Sequence, residues 1–437
     1  MAIIKPFQGL RYNQDIIKDM SAVVTPPYDV ISPQEQEQYY QTHPNNIIRM
    51  DLGKELPGDT EKANKYTRAS EFFNDWKRTG VIKQEDAPAV YIYDQEYSFQ
   101  NKRFVRRGFI ALVKLEPFDK GFIYPHEQTL PGPKADRLKL IQSCKANLSS
   151  IFALFPDEDS GIDDYLSVIT PAEPEVDFID DNGVRNVVWV ITEREPIEKL
   201  VSLMRTKPLF IADGHHRYET SLVYKDQFRK ESGMVGEEIP SDYVMMVCVS
   251  MNNPGLQILP FHRLIQLGKD YDSDHVLCSL RESFDVELLG TGGSLDMSLS
   301  RLDDQKKGHS FLMYVGSEDA CYLLRLKSEG LLESVFANDH PEWKRLDAGI
   351  LHGIVLKKLL GVGSQDVILM KNSVKYEKNI AAAVSLVRSG QYQLAFLLKP
   401  TRIEQVREIA MARKVMPPKS TNFYPKLITG IVINSFE

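Results

Sequence analysis

The stretch 208–224, PLFIADGHHRYETSLVY, constrains the fold more than any other part of the chain. Five residues that suit a strand, 208–212, run directly into Asp213 and Gly214, and a polar helix start follows at His215. A strand that leads through a glycine turn into a helix is a building block of mixed α and β folds. The sequence therefore predicts a strand, a tight turn and a helix at this point.

The residues of this turn are also candidates for chemistry. Gly214 permits close backbone geometry, the first-turn amides of the following helix lack intrahelical partners, and Arg217 adds positive charge, so the turn suits an anion. His215 and His216 can donate to a phosphate or move a proton near neutral pH. Asp213 can cap the helix, bind Mg²⁺ or act as a base. The alternative is a capped helix with a solvated first turn, and adjacent histidines point in different directions on a helix, which disfavours zinc chelation.

Three further polar segments contain residue types that occur in active sites. TPPYDV places Tyr28 and Asp29 after two prolines that fix the backbone path. YPHEQTLPGPKADR contains His126, Glu127, Lys134 and Arg137, which combine acid–base and anion-binding types, and MPPKSTNFYPKLITG contains Lys419 and Lys426, which suit phosphate. Each segment also has an interpretation without function. In TPPYDV the tyrosine packs in the core where a strand ends, YPHEQTLPGPKADR is a surface loop that leads into a helix, and MPPKSTNFYPKLITG is a segment that closes the domain.

Patterns elsewhere predict an α+β protein rather than a doubly wound sheet. A strand is predicted at 22–25, a helix with Ser32 as N-cap and Pro33 in its first turn, and a helix over 60–79 with Tyr66, Ala69, Phe73 and Trp76 on one face. The segment 89–115 predicts an antiparallel hairpin with a polar turn QNKRFV. After about residue 266 the chain contains charged stretches and weakly predicted strands. We therefore predict two domains, 1–265 with the PPYD, HEQT and DGHHR motifs and a smaller α/β domain, 266–437, with the MPPKSTNFYPK loop.

Charge and composition exclude several classes of function. A net charge of −7 disfavours a general nucleic-acid or membrane-surface binder, because the long-range field has the wrong sign. The first residues lack the pattern of a signal peptide, no run of eighteen apolar residues occurs, and the four cysteines form no CxxC pair, so a cytoplasmic location is expected. The GxGxxG, GxxxxGK[ST] and GxSxG motifs are absent. A phosphate site here must therefore be of another kind.

Long motifs along the whole chain resemble one widespread bacterial family, the domain-of-unknown-function family numbered one thousand and fifteen. They are IKPFQGLRYN, VVTPPYDVIS, NIIRMDLGK, YPHEQTLPGPKADRL, IADGHHRYET, LPFHRLI and MPPKSTNFYPKLITG. Members of that family often occur beside genes of serine biosynthesis, so the resemblance implies a role in serine metabolism.

The string DGHHR is also similar to the phosphate-contacting turn of the ParB/sulfiredoxin-like superfamily, which includes a free-serine kinase with the same string. The resemblance implies a ParB/sulfiredoxin-like core with a large insertion, because about 180 residues separate Asp29 from Asp213. It implies a phosphate and catalytic turn at 213–217 and an upstream acid, for which Asp29 is the first choice and Glu127 the second. His215 stands where the sulfiredoxin branch carries its cysteine, which disfavours sulfinic-acid reduction.

These observations together predict a phosphotransferase acting on a small hydroxylated metabolite, with free serine or phosphoserine as the leading substrate. The expected cofactor is Mg²⁺ with ATP or ADP, the expected partner is a small molecule, and no residue is assigned as a certain metal ligand. Two alternatives stay open: a phosphoserine phosphatase that uses the same turn, and a non-catalytic sensor of a phosphorylated metabolite. The sequence does not determine the oligomeric state.

Overall fold

The structure is a computed structural model that describes residues 2–234, 236–267, 271–292, 299–302, 308–359 and 373–437, with side chains described except at 357–359. The described residues form two compact units. The first comprises Met1–Pro125, Thr129–Gln257 and Pro425–Glu437, and the second comprises His126–Gln128 and Ile258–Tyr424. The predicted division into domains after residue 265 stays a prediction.

A nine-stranded mixed sheet forms the centre of the first unit, and its strands carry most of the buried residues of one large hydrophobic cluster in that unit. Eight strands follow one path across the sheet: Ile123–Tyr124, Leu209–Asp213, Ile151–Phe155, Tyr243–Ser250, Lys102–Lys114, Val90–Phe99, Arg185–Ile191 and Val176–Ile179. The ninth, Ile4–Lys5, pairs with Lys102–Lys114. Parallel and antiparallel pairs both occur, and the predicted α+β class is confirmed.

Helices and short strands complete the first unit. The α-helices are Pro33–Thr42, Ile48–Asp51, Lys65–Thr79, Pro131–Cys144, Gly161–Ile169, Arg194–Met204 and His215–Ser232, and the 3₁₀ turns are Met20–Ala22, Tyr28–Val30, Phe118–Lys120 and Pro240–Asp242. Leu10–Tyr12 pairs with Ile82–Gln84, and Asn434–Ser435 pairs with Ala146–Asn147.

The hairpin prediction is confirmed, with a shorter turn than expected. Phe99 pairs directly with Lys102, so only Gln100 and Asn101 form the turn, and both have positive φ angles of 49° and 60°. Two such residues in the left-handed region form the type of turn whose twist matches that of the flanking strands.

The predicted strand at 22–25 is wrong. Met20–Ala22 forms a 3₁₀ turn, and Thr25 makes a single isolated bridge with Thr429. Pro26 and Pro27 follow immediately, and neither can donate to a ladder, so the pairing ends after one residue.

A six-stranded antiparallel sheet forms the second unit, in the order Phe284–Thr291, Ala320–Leu326, Ser310–Val315, Leu394–Leu397, His262–Ile265 and Val374–Glu377. Its described helices are Ser273–Leu280, Gly330–Val335, Pro341–Lys344, Asp347–Ile350, the π-helical Leu351–Leu359, Ile380–Arg388 and Ile403–Met411. Two more short strands are Gln257–Leu259 and Asn422–Tyr424. No helix in the described parts of the chain is both long and apolar enough to cross a membrane.

Candidate active site

The turn at 213–217 has the strand–turn–helix geometry that the sequence predicts. Strand Leu209–Asp213 shifts register against its neighbour between Ile211 and Asp213, and this bulge changes the direction of the last residue. Gly214 has a φ of 91°, in the left-handed region, and helix His215–Ser232 begins directly after it. Gly214 is the N-cap and no side chain caps the helix, so Asp213, one residue earlier, does not take the capping role that was one of its three possible roles.

Arg217 folds back over this glycine. A Cβ added at Gly214 would lie 3.0 Å from Nε of Arg217, so the guanidinium occupies the space that a larger residue would need. Its Nη1 donates to the carbonyl of Ser150, whereas its buried Nε has no hydrogen-bond partner among the described residues. A buried donor without a partner is costly, and one that faces a turn with uncapped amides is well placed for an anion.

Asp213 lies in a strongly positive environment. Its Oδ2 is 3.5 Å from Nζ of Lys426, and both side chains are 23% exposed. Burial alone would raise the pKa of Asp213, but Lys426, Arg217 and His215 together hold it well below its ordinary value. The carboxylate is therefore ionised throughout the physiological range.

A second cluster within the first unit is centred on Arg137, from helix Pro131–Cys144. Its guanidinium lies 3.9 Å above the ring of Tyr28, and its Nη1 donates to Oδ1 of the buried Asp51 at 3.0 Å. Burial raises the pKa of Tyr28 to about 12, although Arg137 and Arg217 oppose this shift. Burial likewise raises the pKa of Asp51 against the effect of the same two arginines. Arg217 therefore acts electrostatically on both this cluster and Asp213.

An outer layer of charges fixes Arg137. Its Nε and Nη2 both donate to Oδ2 of Asp136, at 2.9 and 2.6 Å. Oδ1 of Asp136 accepts from the ammonium of Lys65 at 2.8 Å and from the hydroxyl of Tyr66 at 2.9 Å. Although burial opposes it, the nearby charges of Arg137 and Lys65 lower the pKa of Asp136 to about 2. Arg137 is thus held from three sides by two carboxylates and an aromatic ring.

The first turns of helix His215–Ser232 anchor the loop that leads into helix Pro131–Cys144. The backbone N–H of Leu130 donates to Nε2 of His216 at 2.9 Å. Glu219 accepts from the hydroxyl of Thr129 at 2.8 Å and from the ammonium of Lys134 at 2.9 Å. Lys134 and His216 therefore connect the two predicted motifs within this unit.

A cavity of about 40 Å³ lies between these groups, and Asp51, Arg137 and Arg217 line it. Oδ2 of Asp51 is buried and, like Nε of Arg217, has no hydrogen-bond partner among the described residues. The cavity is larger than the volume that one small polar molecule such as water occupies.

Arg106 is a buried cation that the sequence motifs did not indicate as a site residue. It is 2% exposed, its guanidinium lies 4.7 Å from the ring centre of Phe152, and it donates to Oε1 of Gln95. Burial lowers the pKa of Arg106 to about 10, while Asp213 is among the groups that raise it, so it remains a cation at neutral pH. Gln95 also donates to the backbone carbonyl of Lys426 at 2.9 Å. Arg106 therefore interacts electrostatically with Asp213, and through Gln95 it supports the segment that carries Lys426.

The predicted site residues divide between the two units. Tyr28, Asp29, Lys134, Arg137, 213–217 and Lys426 belong to the first unit, whereas His126, Glu127 and Lys419 belong to the second. Asp29 is exposed, one residue after Tyr28 in the 3₁₀ turn Tyr28–Val30, and it acts electrostatically on Tyr28 and Asp51. The structure thus brings most of the first group into two adjoining clusters.

The residues in the second unit have local structural partners there. The buried His126 lies with its Nε2 2.9 Å from the hydroxyl of Thr421, and its carbonyl accepts from the N–H of Met416. Lys419 has a φ of 55°, and its carbonyl accepts from Nη2 of Arg263 at 3.0 Å. Glu127 is partly exposed.

Asp51 was also missed by the sequence reading, although it lies in the motif NIIRMDLGK. A single aspartate at the end of the short helix Ile48–Asp51 gives no local sign that it is buried opposite an arginine. The signal that could have found it was its position within NIIRMDLGK, one of the motifs on which the resemblance to the family rests.

Comparison with known proteins identifies a family. A family model described as protein of unknown function (DUF1015) matches residues 4–349. Among curated proteins, none matches the chain.

Solved structures give weaker likenesses. A free serine kinase in complex with AMP aligns with a TM-score of 0.31 and 12% identity, over 72% of this chain and 86% of that one. A truncated SbnI from Staphylococcus aureus aligns with a TM-score of 0.35 and 10% identity, over 73% and 85% of the two chains. A conserved hypothetical protein from Pyrococcus furiosus has a TM-score of 0.33 and 12% identity, over 73% and 92%. The family model matches most of the sequence, and the chain therefore belongs to the DUF1015 family.

Proposed function

We propose that this protein transfers a phosphoryl group to the hydroxyl of a small metabolite, with free serine as the leading substrate and a nucleotide as donor. The observation that carries the proposal is the unpartnered, buried Nε of Arg217 beside the uncapped start of helix His215–Ser232. The choice of serine and nucleotide follows from the sequence resemblance of the DGHHR turn.

The turn supplies the groups that a phosphate needs. First-turn amides and the helix dipole favour an anion, and Arg217 and Lys426 add two cations. Phosphoryl transfer depends mainly on positioning and on neutralising charge in the transition state. Asp213, which is ionised, would repel a phosphate by itself, so we assign it the role of holding Lys426 in place.

The two adjacent histidines have different proposed roles. Nε2 of His216 accepts a backbone N–H, which places its proton on Nδ1 in the neutral ring, so we assign His216 to positioning the 129–134 loop. His215 is 4% exposed and within electrostatic reach of Asp213, and we assign it to proton handling at the turn.

Asp29 is the proposed base that activates the substrate hydroxyl. It stands on a turn fixed by Pro26 and Pro27, and Tyr28 beside it is stacked beneath Arg137, so its backbone is well supported. Glu127, which the resemblance to the superfamily gave as the second choice, belongs to the second unit and is not part of this proposal.

Magnesium fits as a companion of the nucleotide rather than as a resident ion. Among the described residues, no group of three or more His, Cys, Asp or Glu side chains is placed to hold a metal. Mg²⁺ in such sites is bound by one or two carboxylates together with phosphates and waters, and Asp213 is an ionised carboxylate at the turn. When bound, the ion would supply charge neutralisation on the phosphates.

The test is incubation of the full chain with serine, Mg²⁺ and either ATP or ADP, followed by ³¹P NMR for O-phosphoserine. Asp29→Asn should lower turnover at least a hundredfold, because a general base contributes about 10²–10⁴ in rate. Asp119→Asn is the matched control, since Asp119 is also an exposed aspartate in a 3₁₀ turn of the first unit.

Three outcomes separate the proposal from its alternatives. Phosphate release from O-phosphoserine without nucleotide would indicate a phosphatase instead. Binding of O-phosphoserine without any turnover would indicate a sensor. Turnover that is equal in Asp29→Asn and the control would remove Asp29 from the chemistry.

A further inference from the structure

The cavity lined by Asp51, Arg137 and Arg217 in the first unit borders a carboxylate that is only partly satisfied. Asp51 is 2% exposed, and its Oδ1 accepts from Nη1 of Arg137 at 3.0 Å. Its Oδ2 is buried and has no hydrogen-bond partner in the described parts of the chain. A buried acceptor that has lost its water without gaining a donor is costly, so a ligand that supplies a donor would recover that cost.

The charges around Asp51 favour a donor that is itself a cation. Arg137 gives two of its three described side-chain hydrogen bonds to Asp136 and only one to Asp51, so Asp51 shares its arginine with a second carboxylate. Burial raises the pKa of Asp51, which shows that its charge is costly there. An ammonium group would offset this cost with charge and a hydrogen bond, whereas a hydroxyl offers only the weaker neutral bond. Arg217, the other cation that acts on Asp51, is the residue proposed to bind phosphate, whose charge would neutralise it.

Two hydroxyl groups in the cavity wall are further acceptors. Thr220 and Ser221 line the cavity and are 3% and 4% exposed. Each hydroxyl donates its hydrogen to a carbonyl one turn earlier in its own helix, to His216 at 2.6 Å and to Arg217 at 2.9 Å. A hydroxyl whose hydrogen is already engaged can only accept from another group. An ammonium has three N–H donors and no acceptor, so these walls match it.

The cavity adjoins the proposed phosphate-binding turn. Arg217 lines the cavity, and its Nε lies 3.0 Å from the place that a Cβ at Gly214 would take. The cavity measures about 40 Å³, which is more than the roughly 10–15 Å³ that a water-sized group such as an ammonium needs. Sites that enclose a whole metabolite commonly measure roughly 300–1,000 Å³. The cavity therefore suits one end of a small ligand whose phosphorylated end lies at the turn.

We propose that Asp51 selects substrates that carry a primary ammonium group close to the hydroxyl that is phosphorylated, so that the substrate class is the small amino alcohols to which serine belongs. The inference rests on the proposed function, because it takes the phosphate to lie at 213–217. Oδ2 of Asp51 accepts from the ammonium while Nε of Arg217 donates to the phosphate, so one ligand satisfies both unpartnered atoms. A hydroxy acid without the ammonium would leave Oδ2 of Asp51 unpaired and bind less tightly.

The test is calorimetric titration of the full chain, without nucleotide, with two probes. They are O-phosphoserine and 3-(phosphonooxy)propanoate, which is the same molecule without the amino group. Wild type should bind O-phosphoserine at least tenfold more tightly than the analogue. Asp51→Asn should remove this preference by weakening the binding of O-phosphoserine alone. The ratio of the two affinities is the quantity compared, because a smaller folded fraction affects both probes alike and leaves the ratio unchanged.

A second variant and a control accompany Asp51→Asn. Thr220→Val keeps the shape of the side chain and removes a hydroxyl whose described hydrogen bond lies within its own helix, and it should lower the ratio at least threefold. Asp94→Asn is the matched control, because Asp94 is also a buried aspartate of the first unit, 3% exposed and paired with Arg107, and does not line the cavity. It should keep the wild-type ratio.

Equal affinities of wild type for the two probes would overturn the inference, and so would an unchanged ratio in Asp51→Asn or a failure of O-phosphoserine to bind. Phosphoryl transfer to serine is measured separately. A protein that phosphorylates serine but whose ratio does not depend on Asp51 would remove this inference alone. A ratio that depends on Asp51 in a protein that phosphorylates nothing would support recognition of the ammonium and remove the proposed phosphotransferase activity.

Discussion

Nζ of Lys426 lies 3.5 Å from Oδ2 of Asp213, although 213 residues separate them in the chain. Lys426 belongs to the carboxyl-terminal segment of the first unit, and Gln95 holds its carbonyl at 2.9 Å. The ion pair places the ammonium of Lys426 beside the uncapped start of helix His215–Ser232. Lys426 is held there by the charge of Asp213 and by the hydrogen bond from Gln95 to its backbone carbonyl.

Lys426→Gln should weaken binding of ADP about tenfold, which corresponds to about 1.4 kcal/mol. The thermal midpoint should hardly change, because a partly exposed ion pair contributes only about 0–1 kcal/mol to stability. Calorimetric titration and thermal melting measure the two effects. Lys120→Gln, at an exposed lysine of the same unit, is the control, and ADP affinity equal to wild type in Lys426→Gln would exclude Lys426 from the site.

Arg137→Gln should destabilise the protein by about 3–5 kcal/mol, because it leaves Asp51 buried without its partner. The double variant Asp51→Asn with Arg137→Gln should be clearly less destabilised than the sum of the two single variants. Urea unfolding measures all three. Arg78→Gln breaks an exposed pair with Asp75 and should leave unfolding unchanged, and strict additivity of the two core substitutions would contradict direct coupling.

Gly214→Ala tests whether the position of Arg217 matters for activity. The φ of 91° makes alanine unfavourable by about 1–2 kcal/mol, and the new Cβ would also push on the guanidinium 3.0 Å away. Gly183→Ala is a close control, since Gly183 has a φ of 74° and open space around it. Serine phosphorylation should fall at least tenfold in Gly214→Ala and stay near wild type in Gly183→Ala. Equal activity in the two variants would show that Arg217 is not needed at its present position.

Local signals predicted the parts of the fold whose causes lie within a few residues. Ser32 accepts from the N–H of Glu35 at 3.2 Å, and Glu35 accepts from the N–H of Ser32 at 2.7 Å, as expected of Ser32 with Pro33 and Glu35 behind it. The buried face of helix Lys65–Thr79 contains Ala69, Phe73 and Trp76, as the three- and four-residue spacing indicates.

Contacts between residues that are far apart in the sequence could not be predicted from local signals. Asp51 and Arg137 are 86 residues apart, and neither has a neighbour in sequence that indicates the other. Arg106 occurs in the run KRFVRRG, where arginine suggests an exposed turn, yet the hairpin places it fully inside opposite Gln95. Charge burial of this kind depends on which strands become neighbours, and that is a property of the complete sheet.

Acid should destabilise the second unit through its buried histidines. Burial, helped by the adjacent Arg263, lowers the pKa of His262 from 6.5 to about 4, and its Nδ1 accepts the N–H of Leu398 at 3.3 Å. The unfolded chain therefore takes up a proton near pH 6.5 that the folded chain refuses. This contribution to stability is complete above pH 6.5 and falls by about 1.4 kcal/mol per pH unit as the pH drops towards 4.

His262→Gln should flatten the slope of unfolding free energy against pH, measured in urea between pH 7 and 4.5, by about that amount per pH unit. The exposed His275→Gln should keep the wild-type slope, and an unchanged slope in His262→Gln would mean that the imidazole of His262 takes up its proton equally in the folded and unfolded states.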